Sequence, residues 1–244
     1  PGQIIPVCIH NNDIYANDFQ VSLMQNSIFD NASTGMIIVN GSIGDAGVRK
    51  YFADGFSGEF LFRIGVPNQY TPAAYNFSSA VTSSNGYINV KPMNSRHAAI
   101  ANMPKTYLSY YWMVNTSGLS GYTVTHEYYY TDELLTIDPN GTEDDMMAQC
   151  FVDGKWKHFQ TDGAIDSDAN KISINGIDML DGEFTAGFPS YSQLSTYYSR
   201  VETGDWTTPE TWQYYDEGGN LTTAETAPNG NPIVIRSGHT ITIN

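Results

Sequence analysis

A short acidic stretch carries the residue types that a calcium site would need. Asp166, Asp168 and Asn170 place three oxygen-bearing side chains at alternate positions of a predicted loop. Ca²⁺ takes roughly six to eight oxygen ligands, and one loop with this spacing supplies several of them. An EF-hand loop would require Gly and Glu where Lys171 and Ile177 stand. The pattern therefore predicts either a solvated acidic turn or a calcium site of another type, and calcium is the one cofactor to consider.

Three further acids are of the residue type that cleavage of a glycosidic bond requires. Glu127, Asp132 and Glu133 would supply the two carboxyl groups that such an enzyme uses as acid and as base or nucleophile. The alternative is that they lie on the wet face of a strand and in the turn that follows it. The sequence has no Gly-x-Ser-x-Gly elbow and no phosphate-binding glycine-rich loop. We therefore expect no catalytic residues and a protein that is not an enzyme.

The two cysteines, Cys8 and Cys150, do not form a metal motif, which needs several ligands at close spacing. In an exported protein they would be able to pair, and a disulfide closing so long a loop would stabilise the fold by roughly 4 kcal/mol in the chain-entropy model. The alternative is two separate buried thiols. The histidines offer no pair at ligand spacing, so we predict no metal or catalytic role for them; they are His10, His97, His126, His158 and His239.

Aromatic side chains suggest a different kind of site. Tyr128 and Tyr130 lie in one tyrosine-rich segment, and Trp212 and Tyr214 lie in another. Flat amphipathic rings give contact area for a sugar ring together with a polar edge. The sequence therefore predicts a carbohydrate-binding adhesin module as the alternative function. In a sandwich, however, one face of each strand belongs to the core, and some of these rings would be buried there.

Composition excludes several classes of function. The chain has 244 residues, of which 41% are hydrophobic and 13% aromatic, and this composition favours a folded protein with a sizeable core. The net charge of −15 repels nucleic acids and anionic membrane surfaces. No apolar run approaches the roughly 20 residues of a membrane span. We expect no nucleic-acid partner and no membrane insertion. Because the sequence starts at Pro1 without Met, we expect a processed product or a piece of a longer chain.

The elements that would position these residues are short strands. The richest stretch is residues 107–130, where two aromatic and β-branched runs flank an Asn/Thr/Ser/Gly break. This pattern predicts two paired antiparallel strands. Leu108, Tyr110, Trp112 and Val114 fall on one face at period 2, which is typical of a half-buried sheet at the centre of the core.

The whole chain is predicted to be all-β, with an antiparallel two-sheet, Ig-like sandwich flanked by β-solenoid-like segments. Residues 1–48 contain short β-prone runs between polar corners, which favour either solenoid coils or an N-terminal strand extension. Residues 49–192 contain enough strands for the sandwich. Residues 193–244 are predicted to be a linker and the start of a further solenoid-like module.

Several segments occur in an order that resembles a known family. They include VNGSIGDAGVRKYF (39–52), GEFLFRIG (58–65), TVTHEYYYTDE (123–133) and GEFTAG (182–187). Together they are similar to a β-sandwich module of very large secreted surface proteins of the Bacteroidota, many of which are exported by the type IX system. The tail, GDWTTPETW (204–212) with PIVIRSGHTITI (232–243), resembles the opening of β-solenoid segments in the same proteins.

The resemblance implies an extracellular or cell-surface repeat protein that is structural, adhesive or filament-forming. Its partners would be neighbouring modules or other copies of the chain, and surface glycans in the alternative function. The family pattern supplies no catalytic residues that map onto this sequence.

Overall fold

In the computed structural model of the chain, the β-branched and aromatic runs form β-strands. The prediction of an all-β fold is therefore confirmed. The structure describes residues 13–17, 19–29, 35–100, 106–137, 141–159, 161–187, 196–215, 221–228 and 233–243. In these ranges there is no α-helix, and the helical turns are the short 3₁₀ segments Asp132–Leu134, Glu143–Asp145 and Pro209–Thr211. The chain divides into two compact units, residues 1–189 and 190–244.

The described strands of the first unit follow one another closely. In chain order they are β1 (Ile14–Asn17), β2 (Val21–Leu23), β3 (Ile37–Val39), β4 (Val48–Tyr51), β5 (Gly58–Phe62), β6 (Ile64–Val66), β7 (Gln69–Tyr70), β8 (Ala73–Phe77), β9 (Thr82–Met93), β10 (Tyr107–Leu108), β11 (Tyr111–Ser120), β12 (Val124–Tyr129), β13 (Leu135–Thr136), β14 (Met147–Val152), β15 (Lys155–His158), β16 (Gly163–Asp166), β17 (Lys171–Ile177) and β18 (Gly182–Gly187).

Two large sheets share one core in this unit. One has nine strands, in the order β13-β10-β18-β11-β9-β4-β2, with β14 pairing β18 and β15 pairing β14. The other has five, in the order β16-β17-β12-β8-β5. Trp112 of the first sheet lies 5.0 Å from Tyr128 of the second, and Tyr128 stacks at 5.2 Å on Phe184 of the first, measured between ring centroids. The side chains between the sheets therefore form a single hydrophobic core.

One prediction about the central stretch is wrong. The two strands of residues 107–130 were expected to pair with each other, but β11 pairs with β9 and β18 of the nine-stranded sheet. β12 pairs with β8 and β17 of the five-stranded sheet. The predicted break does not end the first strand, because β11 continues to Ser120 beside the long strand β9. The chain then crosses to the other sheet at Gly121–Thr123. The buried face was predicted correctly: Leu108, Tyr110, Trp112 and Val114 are all buried.

Parallel pairing distinguishes the first four strands. β1 lies parallel to β3, with Ile14 opposite Ile37, and β2 lies parallel to β4, with Val21 opposite Val48. Each strand–corner–strand segment, β1–β2 or β3–β4, therefore stacks on the next, and we call such a segment a rung. β6 adds a third parallel strand beside β3, in a separate four-stranded sheet of order β1-β3-β6-β7.

The corner of the second rung is held by a single carboxylate. Asp45 accepts hydrogen bonds from the backbone N–H groups of Gly41 and Ser42, at 2.6 and 3.0 Å, and from the Ser42 hydroxyl at 3.1 Å. Gly47 follows with a φ of +81°, and a Cβ there would approach the Val90 carbonyl oxygen to 2.7 Å. Glycine is therefore required where this corner passes β9.

A buried lysine fastens the segment that leaves the first rung. Lys50 is 2% exposed, and its Nζ donates to the carbonyl oxygens of Met24, Gln25 and Ser27 at 2.7, 2.8 and 2.8 Å. It lies 4.8 Å from the centre of the Phe60 ring, which favours the cation. Burial lowers the pKa of Lys50 to about 8. At neutral pH the side chain is still an ammonium group, which has the three donors that the three carbonyls use.

The core contains a polar network as well as apolar side chains. His126 is fully buried; its Nε2 donates to the Met179 carbonyl oxygen at 2.9 Å, and its Nδ1 accepts from the Tyr128 hydroxyl at 3.0 Å. These partners define a neutral imidazole with its proton on Nε2. Burial lowers the pKa of His126 to about 3. Close by, Trp112 Nε1 donates to the Thr71 carbonyl oxygen at 2.9 Å, so this buried indole is also satisfied.

The second unit is smaller. Its described strands are β19 (Tyr197–Ser199), β20 (Thr203–Asp205), β21 (Trp212–Tyr215), β22 (Leu221–Thr223), β23 (Ile233–Val234) and β24 (Thr240–Thr242). β23 is parallel to β19, and β24 is parallel to β20, with Thr203 opposite Thr240. The segments β19–β20 and β23–β24 are therefore two rungs of the kind found in the first unit. Trp212 has no exposed surface, and its Nε1 donates to the Trp206 carbonyl oxygen at 2.9 Å.

The compact units do not follow all the predicted segments. Strands of residues 13–48 join sheets with strands from residues 49–192, and Leu23 and Ile37 contribute to the same core as Trp112. The described parts of these two predicted segments therefore belong to one unit. The first unit ends at residue 189, whereas the sequence analysis predicted that the sandwich domain ends at residue 192.

Candidate functional site

A cleft of about 280 Å³ opens at the start of β18, on the face of the nine-stranded sheet that points away from the core. β18 begins at Gly182, whereas β11 and the β14–β15 hairpin extend past that point on either side. Gly182 and Glu183 form the floor of the cleft. Met113 and Phe151 stand directly opposite Glu183 on the two neighbouring strands. We call this site the acidic cleft.

Strand alternation explains which side chains enter the acidic cleft. Phe184 is fully buried in the core, so its neighbour Glu183 points to the opposite face of the sheet. Asn115 lies two residues beyond Met113 on β11, so its side chain points to the same face. Asp153 comes directly after β14 and also lines the cleft. Asp153 is the first residue of the Asp-Gly turn of the β14–β15 hairpin and has a φ of +51°.

The floor depends on a glycine. Gly182 has a φ of +145°, and a Cβ at this position would overlap the Sγ atom of Cys150 on the neighbouring strand. A larger residue would displace either the cysteine or the start of β18. Glycine therefore allows β18 to begin directly over the buried thiol.

Beside the acidic cleft, His97 is enclosed by three aromatic rings. Its ring centroid lies 4.9 Å from Tyr111, 4.9 Å from Phe151 and 4.8 Å from Trp156. His97 Nδ1 accepts the Ala99 N–H at 3.1 Å, so the proton lies on Nε2, which donates to the Glu183 carboxylate. The imidazole is therefore neutral, and it orients Glu183 without neutralising its charge.

The sequence analysis did not identify the acidic cleft as a site. Its residues come from three strands that are far apart in the chain, and only the sheet order brings Asn115, Phe151 and Glu183 together. One local signal was present. In GEFTAG (182–187) a lone acid precedes a core aromatic, and period-2 alternation places that acid on the outer face of the sheet.

The predicted calcium ligands lie in the turn between β16 and β17. Asp166 Oδ1 accepts the Ala169 N–H at 3.1 Å, and Asn170 Nδ2 donates to Asp132 Oδ1 at 2.7 Å. Asp168 is exposed, and Asn170 has a φ of +49°, which asparagine tolerates better than most residues. Within the described ranges, no group of three or more His, Cys, Asp or Glu side chains is arranged to hold a metal ion. Calcium binding at Asp166, Asp168 and Asn170 stays a prediction.

Three of the four rings proposed for sugar stacking are not exposed. Tyr128 has no exposed surface and stacks on Phe184, and Trp212 is equally buried. Tyr130 is 4% exposed, and its hydroxyl donates to Glu143. Their interpretation as exposed rings is wrong, because each of them faces a core. Tyr214 is half-buried and stacks on Tyr197 at 5.5 Å.

The proposed disulfide falls partly outside the described residues. Cys8 is not among them, so its pairing with Cys150 stays a prediction. Cys150 is fully buried on β14 opposite Phe184, and burial raises the pKa of its thiol to about 12. A thiol in such surroundings is a poor nucleophile and metal ligand, because the reactive form is the thiolate.

The acids considered for glycoside hydrolysis have structural partners. Glu127 accepts a hydrogen bond from Lys171 Nζ at 3.0 Å and another from the Tyr129 hydroxyl at 2.8 Å. Asp132 bonds Asn170, as described above, and Glu133 lies exposed in the following 3₁₀ turn. None of the three lines the acidic cleft.

Of the histidines, His10 lies outside the described residues. His126 belongs to the core network, and His97 to the aromatic enclosure. His158 ends β15, and His239 lies in the turn before β24, where its N–H donates to the Arg236 carbonyl oxygen at 3.0 Å.

Comparisons with known proteins identified no relative of this chain. No protein-family model, no curated protein and no solved structure matches the chain. The likeness to Bacteroidota surface proteins therefore depends on the sequence motifs alone. None of the helical segments in the described ranges has the length and apolar character needed to cross a membrane.

Proposed function

We propose that the chain is a non-enzymatic structural module of a multi-domain protein at the cell surface. In this proposal the first unit is an Ig-like sandwich with a solenoid-like segment on its N-terminal side, and the second unit is a further solenoid-like segment. Its working parts are backbone ladders and stacked strands, and it needs no cofactor. The resemblance to secreted Bacteroidota proteins and the net charge of −15 support an extracellular location.

The observation that carries the proposal is the parallel stacking of rungs in both units. Stacks of short strands, one from each successive segment, are typical of solenoid repeat architectures. In each unit both strands of one rung pair in parallel with the corresponding strands of the next rung. The parallel pairs are β1 with β3 and β2 with β4 in the first unit, and β19 with β23 and β20 with β24 in the second. In such stacks each segment contacts chiefly its neighbours, so the arrangement suits elongated load-bearing proteins.

The partners in this proposal are other rungs. In the described part of the chain, β23 is an end strand of its sheet and β24 pairs only with β20. An end strand presents unpaired N–H and C=O groups that pair readily with another strand. Val234 and Ile235 on this rung are 42% and 50% exposed. A rung from a neighbouring module or from another copy of the chain would cover them.

Immunogold electron microscopy tests the proposal on intact cells of the organism that encodes the chain. We expect antibodies against the purified chain to label stalks or fibres outside the cell, and external protease to remove the label. Label confined to the cell interior and protected from external protease would contradict the proposal. A soluble form that turns over a small-molecule substrate would contradict it as well.

A further inference from the structure

The acidic cleft is a formed concavity with a mixed lining. It lies between β11 and the β14–β15 hairpin, which extend past the start of β18 on either side, so backbone flanks it on both sides. Its walls are apolar at the level of Met113 and Phe151. Three of its lining residues have polar side chains: Asn115, Asp153 and Glu183. Ligand sites in proteins commonly combine an apolar wall with a few convergent polar groups in this way.

The charge of the acidic cleft is uncompensated. Two carboxylates, Asp153 and Glu183, line it, and no base is among the lining residues in the described part of the chain. Glu183 accepts a hydrogen bond from the neutral imidazole of His97, which adds no positive charge. Within the described ranges the Asp153 carboxylate makes no ion pair or hydrogen bond. Lys155, the nearest base along the hairpin, is exposed and does not line the cleft. The net charge of −15 strengthens the negative potential at this opening.

The walls suit an aliphatic stem behind a cationic head. Met113 supplies a flexible thioether surface, which adapts to irregular apolar shapes. Phe151 is half-buried, and its ring is fixed by Trp156 at 5.2 Å and by His97 at 4.9 Å. A rigid aromatic face next to two carboxylates attracts a cation through both the ring and the charges.

From these observations we infer that the acidic cleft binds a basic side chain, lysine or arginine, presented by a protein partner. The methylene stem lies against Met113 and Phe151, and the cationic head lies between Glu183 and Asp153, with the Asn115 amide oxygen as a further acceptor. This site is independent of the stacking of rungs. It would give the chain a lateral contact on the face of its largest sheet.

A neutral sugar is the competing ligand, since carboxylates, an amide and an aromatic ring also bind hydroxyl groups. Two observations favour the cation. A sugar would leave both carboxylates without a compensating charge in the same small volume, which costs free energy. Among the described residues, Phe151 supplies the one aromatic ring in the lining, and this ring is half-buried because it packs against Trp156 and His97.

Amide chemical-shift titrations of the whole chain test this inference. The probe is Nα-acetyl-lysine methylamide, and its neutral isostere, Nα-acetyl-norleucine methylamide, and methyl glucoside serve as comparisons. We expect saturable shifts confined to the residues of the acidic cleft, with a dissociation constant on the order of millimolar for a ligand of this size. Binding should weaken as ionic strength rises, because the pair is partly exposed.

Two variants and one control sharpen the test. We expect Glu183→Gln, which can still accept the His97 proton, and Asp153→Asn, at an exposed turn, each to weaken binding by about three- to tenfold. Asp162→Asn removes the same charge from an exposed position outside the cleft and should leave binding unchanged. If Glu183→Gln disturbs the fold, the binding affinity of Asp153→Asn for the lysine compound is the test of the inference. Equal binding of the norleucine compound, binding of methyl glucoside in its place, or no saturable shift with the lysine compound would overturn the inference.

Discussion

The two units of the chain use the same backbone arrangement but surround it with very different amounts of core. In the first unit the rungs join a core of 34 buried hydrophobic residues among those described. In the second unit the corresponding cluster has three, Tyr197, Trp212 and Ala224. Each unit nevertheless buries one tryptophan completely and ties its indole N–H to a backbone carbonyl at 2.9 Å, through Trp112 and Trp212. The two units therefore differ in the number of buried side chains that pack against a similar ladder of backbone hydrogen bonds.

The difference indicates that stacked rungs do not stabilise themselves. A ladder of strands that are only two to four residues long buries little apolar surface, and small isolated sheets are marginally stable in water. The first unit solves this by packing its rungs against a large core. The second unit relies on a few aromatic rings, so single changes there should have disproportionate effects.

The largest effect is expected for Trp212→Ala. Truncating a fully buried tryptophan costs about 3–5 kcal/mol, which is a large share of what so small a core can supply. We expect the second unit to unfold while the first keeps its structure. Limited proteolysis should then cut within residues 196–243 and spare residues 35–100. Trp212→Phe should restore part of the protection, and equal protection in Trp212→Ala and the native chain would contradict this account of the second unit.

The matched change in the first unit is Trp112→Ala. The local cost is of the same size, about 3–5 kcal/mol, but it is taken from a much larger core. We expect the first unit to stay folded at room temperature with a clearly lower urea midpoint, measured by its near-ultraviolet signal. If Trp112→Ala unfolded its unit while Trp212→Ala did not, the comparison between the two cores would be wrong.

The sequence predicted that Trp112 is buried, but it did not predict which strands surround it. Alternation correctly placed Trp112 on a buried face, because period 2 reports which face is apolar. It did not reveal that β11 and β12 lie in different sheets, because the period carries no information about which strand is the neighbour. Tyr128 and Tyr130 were misread for a related reason: an aromatic run shows high apolar content but not which ring the opposite sheet covers. The acidic cleft was missed because Asn115, Asp153 and Glu183 meet only through the sheet order.

The next largest effect is a loss of stability of the first unit at acidic pH, caused by His126. His126 is neutral in the folded chain with its pKa lowered to about 3, whereas in the unfolded chain it takes up a proton below its ordinary value of 6.5. Its contribution to stability is therefore complete above pH 6.5 and is lost as the pH falls from there towards 3. By about pH 5 the loss should reach about 2 kcal/mol.

Urea unfolding at neutral pH and near pH 5 measures this loss. His126→Gln has no ring to protonate, so its stability should fall less over the same interval, even if it starts lower. The carboxylates titrate equally in both proteins, which makes the difference between the two slopes the informative quantity. Identical slopes would show that His126 does not couple folding to pH.

A smaller effect is expected for Lys50→Met. The substitution keeps an apolar stem but removes the three hydrogen bonds to Met24, Gln25 and Ser27. Loss of the three hydrogen bonds destabilises the folded chain by more than removal of a buried charge stabilises it. We expect the free energy of unfolding to fall by about 1–2 kcal/mol. Hydrogen exchange should rise mainly in residues 24–29. An unchanged exchange rate there would mean that Lys50 does not fasten this segment.

The smallest effect is expected for Arg236→Met, the counterpart of Lys50 in the second unit. In the amide orientation that satisfies both groups, Gln213 Oε1 accepts hydrogen bonds from Arg236 Nη1 and Nη2 at 2.5 and 2.7 Å. The guanidinium is only half-buried, so the loss should be about 0.5–1 kcal/mol. A thermal-melt comparison with Arg236→Lys as control checks this value. A loss larger than that of Lys50→Met would reverse the ranking.

The account as a whole depends on the register of the parallel rungs, and cysteine cross-linking measures that register directly. The background is the chain with Cys8→Ser and Cys150→Ala. Disulfides form only when the two Cα atoms are about 4.4–6.8 Å apart, so strand neighbours in register can pair and residues offset by two positions cannot.

The decisive pairs are one in each unit: Ser22→Cys with Arg49→Cys, and Thr203→Cys with Thr240→Cys, which stand directly opposite each other. We predict that both pairs oxidise to disulfides in the folded chain, while the offset control, Thr203→Cys with Thr242→Cys, keeps free thiols. If the offset pair oxidised as readily, or if neither opposite pair did, the chain would not be built on stacked parallel rungs.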